Sequence, residues 1–120
     1  MAWNFQSGKA IYIQLYDGLL FDVITGKYPP GEKLPSVRDL AFDAGVNPNT
    51  VQKAYGELEN IGLACSKSTC ARTVTSDTDV IARVRGEYIE KKVRDLIDDM
   101  DELGCTKEEL MEIIRNAQSD

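Results

Sequence analysis

Apolar residues recur at helical spacing in several separate stretches of the chain, and each stretch ends at a residue that breaks a helix. The first stretch, Ile11 to Thr25, places Ile11, Leu15, Leu19, Leu20 and Val23 on one face and closes at Gly26. A second begins after Ser36, a helix cap with Asp39 at capping-box spacing, and presents Val37, Leu40 and Ala41. It stops at Ala44-Gly45, where glycine accepts a left-handed backbone. A third starts at Asn47-Pro48, a cap followed by proline at the first helical position, and buries Val51, Ala54, Tyr55 and Leu58 before Gly62.

Between these helices the pattern changes. The stretch YPPGEKLPS is rich in turn formers, with Lys33-Leu34 as a brief strand, and LACSK and ARTVT read as the arms of a β-hairpin. Trp3 and Phe5 are expected to pack on the domain surface. From Asp79 to Leu103 the stripe is long: Val80, Ile81, Val84, Tyr88, Val93, Leu96, Ile97, Met100 and Leu103, with charges elsewhere. Gly104 ends it, and Thr106, with Glu109 three residues on, caps a last helix carrying Leu110, Met111, Ile113 and Ile114.

The spacing within residues 37–58 separates a helix-turn-helix from an ordinary helical hairpin. Counting from Val37, the fifth residue is the small Ala41, where two helix backbones must nearly touch, and the ninth is Gly45, at the turn. Leu40, Ala44, Val46, Val51 and Ala54 fill the shared core. The polar residues left over, Asn47, Asn49, Thr50, Gln52 and Lys53, fall at the start and outer face of the second helix, where such a motif meets base edges and phosphates. The predicted fold is mainly α with a small β-hairpin. It is a winged helix-turn-helix domain over 1–75, followed by a two-helix C-terminal dimerisation appendage over 76–120.

The net charge of −6 argues against DNA until it is divided by position. Residues 1–75 carry Lys9, Lys27, Lys33, Arg38, Lys53, Lys67 and Arg72 against seven acids, so they net zero, and the whole excess of acid lies in 76–120. No acid falls between Asp43 and Glu57, the proposed reading helix, or between Glu59 and Asp77. With few phosphate-pairing groups per copy, binding should require a dimer. The tail supplies one: two helices with such stripes cannot cover them against each other alone. Val84, Tyr88, Val93, Leu96, Ile97, Met100, Leu103, Leu110, Ile113 and Ile114 are the expected interface. A tail of this size encloses no drug-sized pocket by itself, so a small effector would have to sit between the two copies.

Other classes are disfavoured. With no histidine, no glycine-rich phosphate loop and no nucleophile beside a base, an enzyme is not expected, and neither is a cofactor. Three cysteines without a CxxC spacing suggest neither a zinc site nor a disulfide framework. With no apolar run of membrane length and no signal-peptide pattern, a cytoplasmic protein without membrane attachment is expected. Cys65 and Cys70 flank the hairpin turn and could form a reversible disulfide. The preferred reading is a small buried Cys65 and an exposed Cys70.

The order IYIQLYDGL, YPPGEKLPSVRDLA, GVNPNTVQKAYGELENIGL resembles the DNA-binding domain of GntR-family transcriptional regulators over residues 10–63. VNPNTV and AYGELE, with a short helical tail, are most similar to the YtrA-type subfamily. The resemblance implies a dimeric bacterial repressor on an inverted-repeat operator, often beside genes for an ABC transporter. It also implies phosphate or base contacts from Ser36 and Arg38, a phosphate contact from the Tyr55 hydroxyl, and wing contacts from Lys67 and Arg72 in or beside the minor groove. Arg38 could instead pair with an acid on its own helix. The wing departs from the family pattern: Ala71 stands where glycine is usual, Thr73 where an aromatic is, and Ser68 where a basic residue is common. The competing function is a winged-helix module that binds protein and has abandoned DNA.

Overall fold

The computed structural model describes residues 3–66 and 71–117. Its elements follow in the order α1 (Ile11–Ile24), α2 (Val37–Ala44), α3 (Pro48–Asn60), β1 (Ala64–Ser66), β2 (Arg72–Val74), α4 (Thr78–Glu102) and α5 (Lys107–Asn116). This is the expected mainly helical fold with one antiparallel hairpin, paired Ala64 with Val74, Cys65 with Thr73 and Ser66 with Arg72.

Local chemistry sets the helix ends. The Ser36 hydroxyl accepts from the Asp39 N–H at 3.0 Å, and the Asn47 side chain accepts from the Asn49 N–H at 2.8 Å. Each satisfies a donor that the first turn leaves without an intrahelical partner. Gly45 ends α2 in the left-handed region at φ 68°, which turns the chain sharply enough for α3 to start two residues later. At Thr106 the capping box is complete in both directions.

The core gathers the inward faces of these elements: Leu15, Leu19 and Val23 from α1, Leu40 and Ala41 from α2, Val51, Ala54 and Leu58 from α3. Leu34, Leu63 and Val74 close it from the hairpin side. Residues 31–34 lie along β2 as a third strand-like segment. The Val74 N–H donates to the Glu32 carbonyl at 2.8 Å and the Leu34 N–H to the Arg72 carbonyl at 2.8 Å. In place of the brief strand expected at Lys33-Leu34 there is a single antiparallel bridge, from Lys33 to Thr73.

Ahead of α1, Trp3 and Phe5 stack with ring centroids 5.7 Å apart, and Gln14 holds the strand by accepting from the Gln6 N–H at 2.7 Å. Trp3 lies against Gly18 so closely that a Cβ there would come within 2.6 Å of the indole. Both aromatics thus pack on the domain surface as expected.

Two compact units result, Met1–Val84 and Arg85–Asp120, dividing inside α4. The hairpin ends and α4 begins near residue 76, but packing within the first unit continues through Val84, which is itself buried. In the second unit Leu110 is covered, while Val93, Leu96, Leu103, Ile113 and Ile114 are exposed, Leu103 at 77 %. Among the described residues no helix is long and apolar enough to cross a membrane, and no cluster of His, Cys, Asp or Glu could hold a metal ion.

One core position works against stability. Asp22 is 2 % exposed, its Oδ2 has no hydrogen-bond partner among the described residues, and the Lys27 ammonium stands 3.6 Å away. Burial raises its pKa, and Lys27 only partly opposes the rise. In the pH interval between its unfolded and folded pKa values the folded state binds more protons, so this group makes the fold less stable as pH rises from acid towards neutral. Asp22→Asn should therefore gain on the parent as pH rises, the difference in unfolding midpoint widening between pH 4 and pH 7. A pH-independent difference would show that Asp22 is not the source.

Candidate nucleic-acid interface

Helix α3 is two-sided. Val51, Ala54, Tyr55 and Leu58 point into the core, and the opposite side begins with Asn47, Asn49, Gln52 and Lys53, all exposed, and the half-buried Thr50. Side chains on such a helix can reach base edges only if the backbone holds still, and here the backbone is fixed from beneath by complete burial of Val51, Ala54 and Leu58. The first turn presents the positive end of the helix dipole, but its N–H groups are already taken: Pro48 has none, the Asn49 N–H donates to the Asn47 side chain at 2.8 Å and the Thr50 N–H to the Asn47 carbonyl at 2.9 Å.

The other expected contacts divide into those left exposed and those withdrawn. Arg38 is exposed and makes no ion pair among the described residues, so it remains available where pairing within its own helix was the alternative. Ser36 is half-buried, with its oxygen occupied as the α2 cap. Lys53 stays exposed, with its ammonium held over the Tyr12 ring at 3.9 Å. Lys67, Ser68 and Cys70 lie outside the described residues.

Three expectations are corrected. Tyr55 cannot offer its hydroxyl to a phosphate: it is 1 % exposed and donates to the Pro35 carbonyl at 2.6 Å. Burial pushes its pKa well up, with Tyr28 adding and Arg72 opposing, so the phenol stays a neutral donor. Arg72 is not a free wing cation. Its Nε donates to Glu59 Oε1 at 2.6 Å, its Nη2 donates to Gln52 Oε1 at 2.8 Å, and its guanidinium lies 5.3 Å from the centre of the Tyr55 ring. With 15 % of the side chain exposed, it clamps β2 onto α3. Cys65, expected to be buried, is exposed: strand residues alternate sides, and Ala64 takes the inward one.

Two residues that serve the site were missed, Tyr12 under Lys53 and Glu59 beside Arg72. Glu59 lies two turns after Gln52 on the same face of α3, and that spacing was readable; its partner on β2 was not.

A winged helix-turn-helix with a buried-backed polar reading helix defines a DNA-binding regulator. The family described as bacterial regulatory proteins, gntR family, matches residues 11–71. The chain is 36 % identical to the transcriptional repressor YtrA of Bacillus subtilis, covering 96 % of this chain and 89 % of that one. It is 33 % identical to the transcriptional regulator YhcF of the same organism, over 93 % of each. Among solved structures, a GntR family regulator from Listeria monocytogenes superposes with a TM-score of 0.84 at 31 % identity, covering 95 % of this chain and 100 % of that one. The DNA-binding domain of AraR in complex with operator ORX1 matches 60 % of this chain and 93 % of its own length, with a TM-score of 0.54 at 27 % identity. The chain belongs to the GntR family of transcriptional regulators, and its similarity to YtrA runs through the tail as well as the DNA-binding domain. Members of this family are DNA-binding regulators, not enzymes.

The role of Asn47 as a cap can be separated from a contact with DNA. Asn47→Ala should cost about 1 kcal/mol of stability in urea unfolding. Asn47→Asp, which keeps an acceptor for the Asn49 N–H, should retain stability yet weaken DNA binding by placing a negative charge at the phosphate. Equal DNA affinity in Asn47→Asp and the parent would remove Asn47 from the interface.

Proposed function

We propose that this regulator is a cytoplasmic repressor that binds an inverted-repeat operator as a homodimer, with a transporter operon as the class of target. The observation that carries the reading is the outer side of α3. Asn49, Gln52 and Lys53 stand exposed there in a stretch free of acids between Asp43 and Glu57. Asn49 and Gln52 are side chains that hydrogen-bond to base edges, and Lys53 and Arg38 are cations for the backbone. The similarity to the transcriptional repressor YtrA supports the repressor role.

Dimerisation is supported by what the second unit leaves uncovered. Ile89, Val93 and Leu96 follow helical spacing along α4, Leu103 stands in the turn just past its end, and Met111, Ile113 and Ile114 crowd α5, all exposed. A second copy would cover these faces, and two linked reading helices would then match the two halves of a symmetric operator. Tyr88, Ile97 and Met100, half-buried on α4, belong to the same proposed surface, whereas Val84 and Leu110 are already covered within their own units. A small effector could bind between the copies, and its identity is left to experiment.

The test is a gel shift on the protein's own promoter over a salt series in reducing buffer. A specific, salt-sensitive shift protecting an inverted repeat supports the operator-reading function, and no specific retention at low salt would favour the protein-binding alternative. Within that assay Asn49→Ala should lose on the order of 1–3 kcal/mol on the operator and relax one base position. A loss equal on every DNA sequence would make Asn49 a phosphate contact. Leu96→Glu should convert the dimer to monomer in sedimentation, because a charge at the interface centre has no partner. A variant that stays dimeric would place the interface elsewhere.

A further inference from the structure

The Arg72 clamp does more than hold the wing. A guanidinium carries only donors, so the atom of Gln52 that meets Arg72 Nη2 at 2.8 Å has to be the amide oxygen. Arg72 is itself fixed from two other directions, by Glu59 at 2.6 Å and by the Tyr55 ring. The amide of Gln52 is therefore held in one orientation with its oxygen engaged, and the group left for a partner is its NH2.

That orientation has a consequence for base reading. An unrestrained glutamine reads adenine by presenting oxygen and nitrogen side by side, accepting from N6 and donating to N7. The oxygen keeps a second lone pair, but it is turned to the Arg72 side of the amide, so the edge that Gln52 presents beyond the clamp is its NH2, a donor. Guanine presents two acceptors in the major groove, N7 and O6, whereas adenine sets a donor of its own beside N7. We propose that Arg72 acts as a positioning residue that makes Gln52 a donor-only reader, selecting guanine over adenine at one operator position. The inference rests on the operator-reading function proposed above, and it assigns the wing a part in specificity that needs no wing contact with DNA.

The experiment is selection of bound sequences from a random duplex library by the full-length parent, Gln52→Glu and Arg72→Ala, followed by affinity measurements over a salt series. The parent should enrich a motif with guanine at the Gln52 position. Glutamate keeps the bond to Arg72 and turns an acceptor outward, so Gln52→Glu should exchange guanine for cytosine, whose N4 donates, with the preference ratio moving about tenfold or more. Gln52 is exposed, so this variant carries the test even if Arg72→Ala fails to fold. Folded Arg72→Ala should admit adenine at the same position while the slope of affinity against salt keeps its parent value. A uniform loss on all sequences with a salt slope shallower by about one contact would make Arg72 a phosphate ligand and overturn the proposal. A parent motif left unchanged by both variants overturns the clamp alone, and a parent that enriches no sequence overturns the operator-reading function and the clamp with it.

Discussion

The hydrogen bond from the Tyr55 hydroxyl to the Pro35 carbonyl, 2.6 Å long and part-buried, is the point on which the reading domain turns. A phenol taken out of water must find an acceptor or cost about 1–3 kcal/mol. The acceptor it finds belongs to the residue just before the α2 cap, where the chain leaves the segment paired to β2. One side chain of α3 thereby fixes where α2 begins. Its ring also backs the Arg72 guanidinium, so the wing is referred to the same residue. Phenylalanine would fill the space but leave the carbonyl without its partner.

From that anchor the two sides of α3 acquire their separate characters. Val51, Ala54 and Leu58 are fully enclosed, which ties the helix to α1 and α2 over its whole length and leaves the polar side little freedom to drift. The wing reaches the body of the domain by a different route from the aromatic packing usual in the family. Thr73 occupies the aromatic position, and the neighbouring Arg72 supplies the attachment through Glu59, Gln52 and Tyr55. A charge-assisted pair with 15 % of the arginine exposed is directional, where an aromatic contact would not be. That is why the attachment also orients a side chain on the reading helix.

What the sequence disclosed and what it withheld follow from the range of the interactions involved. Ser36, Gly45, Asn47-Pro48 and Thr106 act within three residues of themselves, through backbone groups that every helix end exposes, so α2, α3 and α5 were legible almost to the residue. The hairpin was legible from alternation and turn chemistry. Arg72 was not, because its partners stand 13 and 20 residues back along the chain and any basic wing residue beside a DNA-reading motif suggests a phosphate. Tyr55 fits the helical core pattern, yet a hydroxyl on a reading helix also suggests DNA; only the position of Pro35 decides between them. Asp22 gave no local signal, since an acid on an amphipathic helix ordinarily faces solvent.

Engaging Arg72 in the clamp between β2 and α3 alters the electrostatics of the proposed complex. Among the described residues expected at DNA, the cations that remain exposed are Arg38 and Lys53, and Lys53 is partly engaged with Tyr12. Each neutralised phosphate contributes a slope of about 0.9 in the logarithm of affinity against that of salt, so a single copy with so few contacts would hold duplex DNA weakly at cellular salt. In the proposed homodimer such a surface would gain its affinity by doubling. A second reading domain joined through the tail would meet its half-site at a high effective concentration, multiplying a weak affinity without any new cation. In the sequence the excess acid falls in residues 76–120, outside the acid-free stretch between Asp43 and Glu57 that forms most of α3, and it keeps the net charge far from zero.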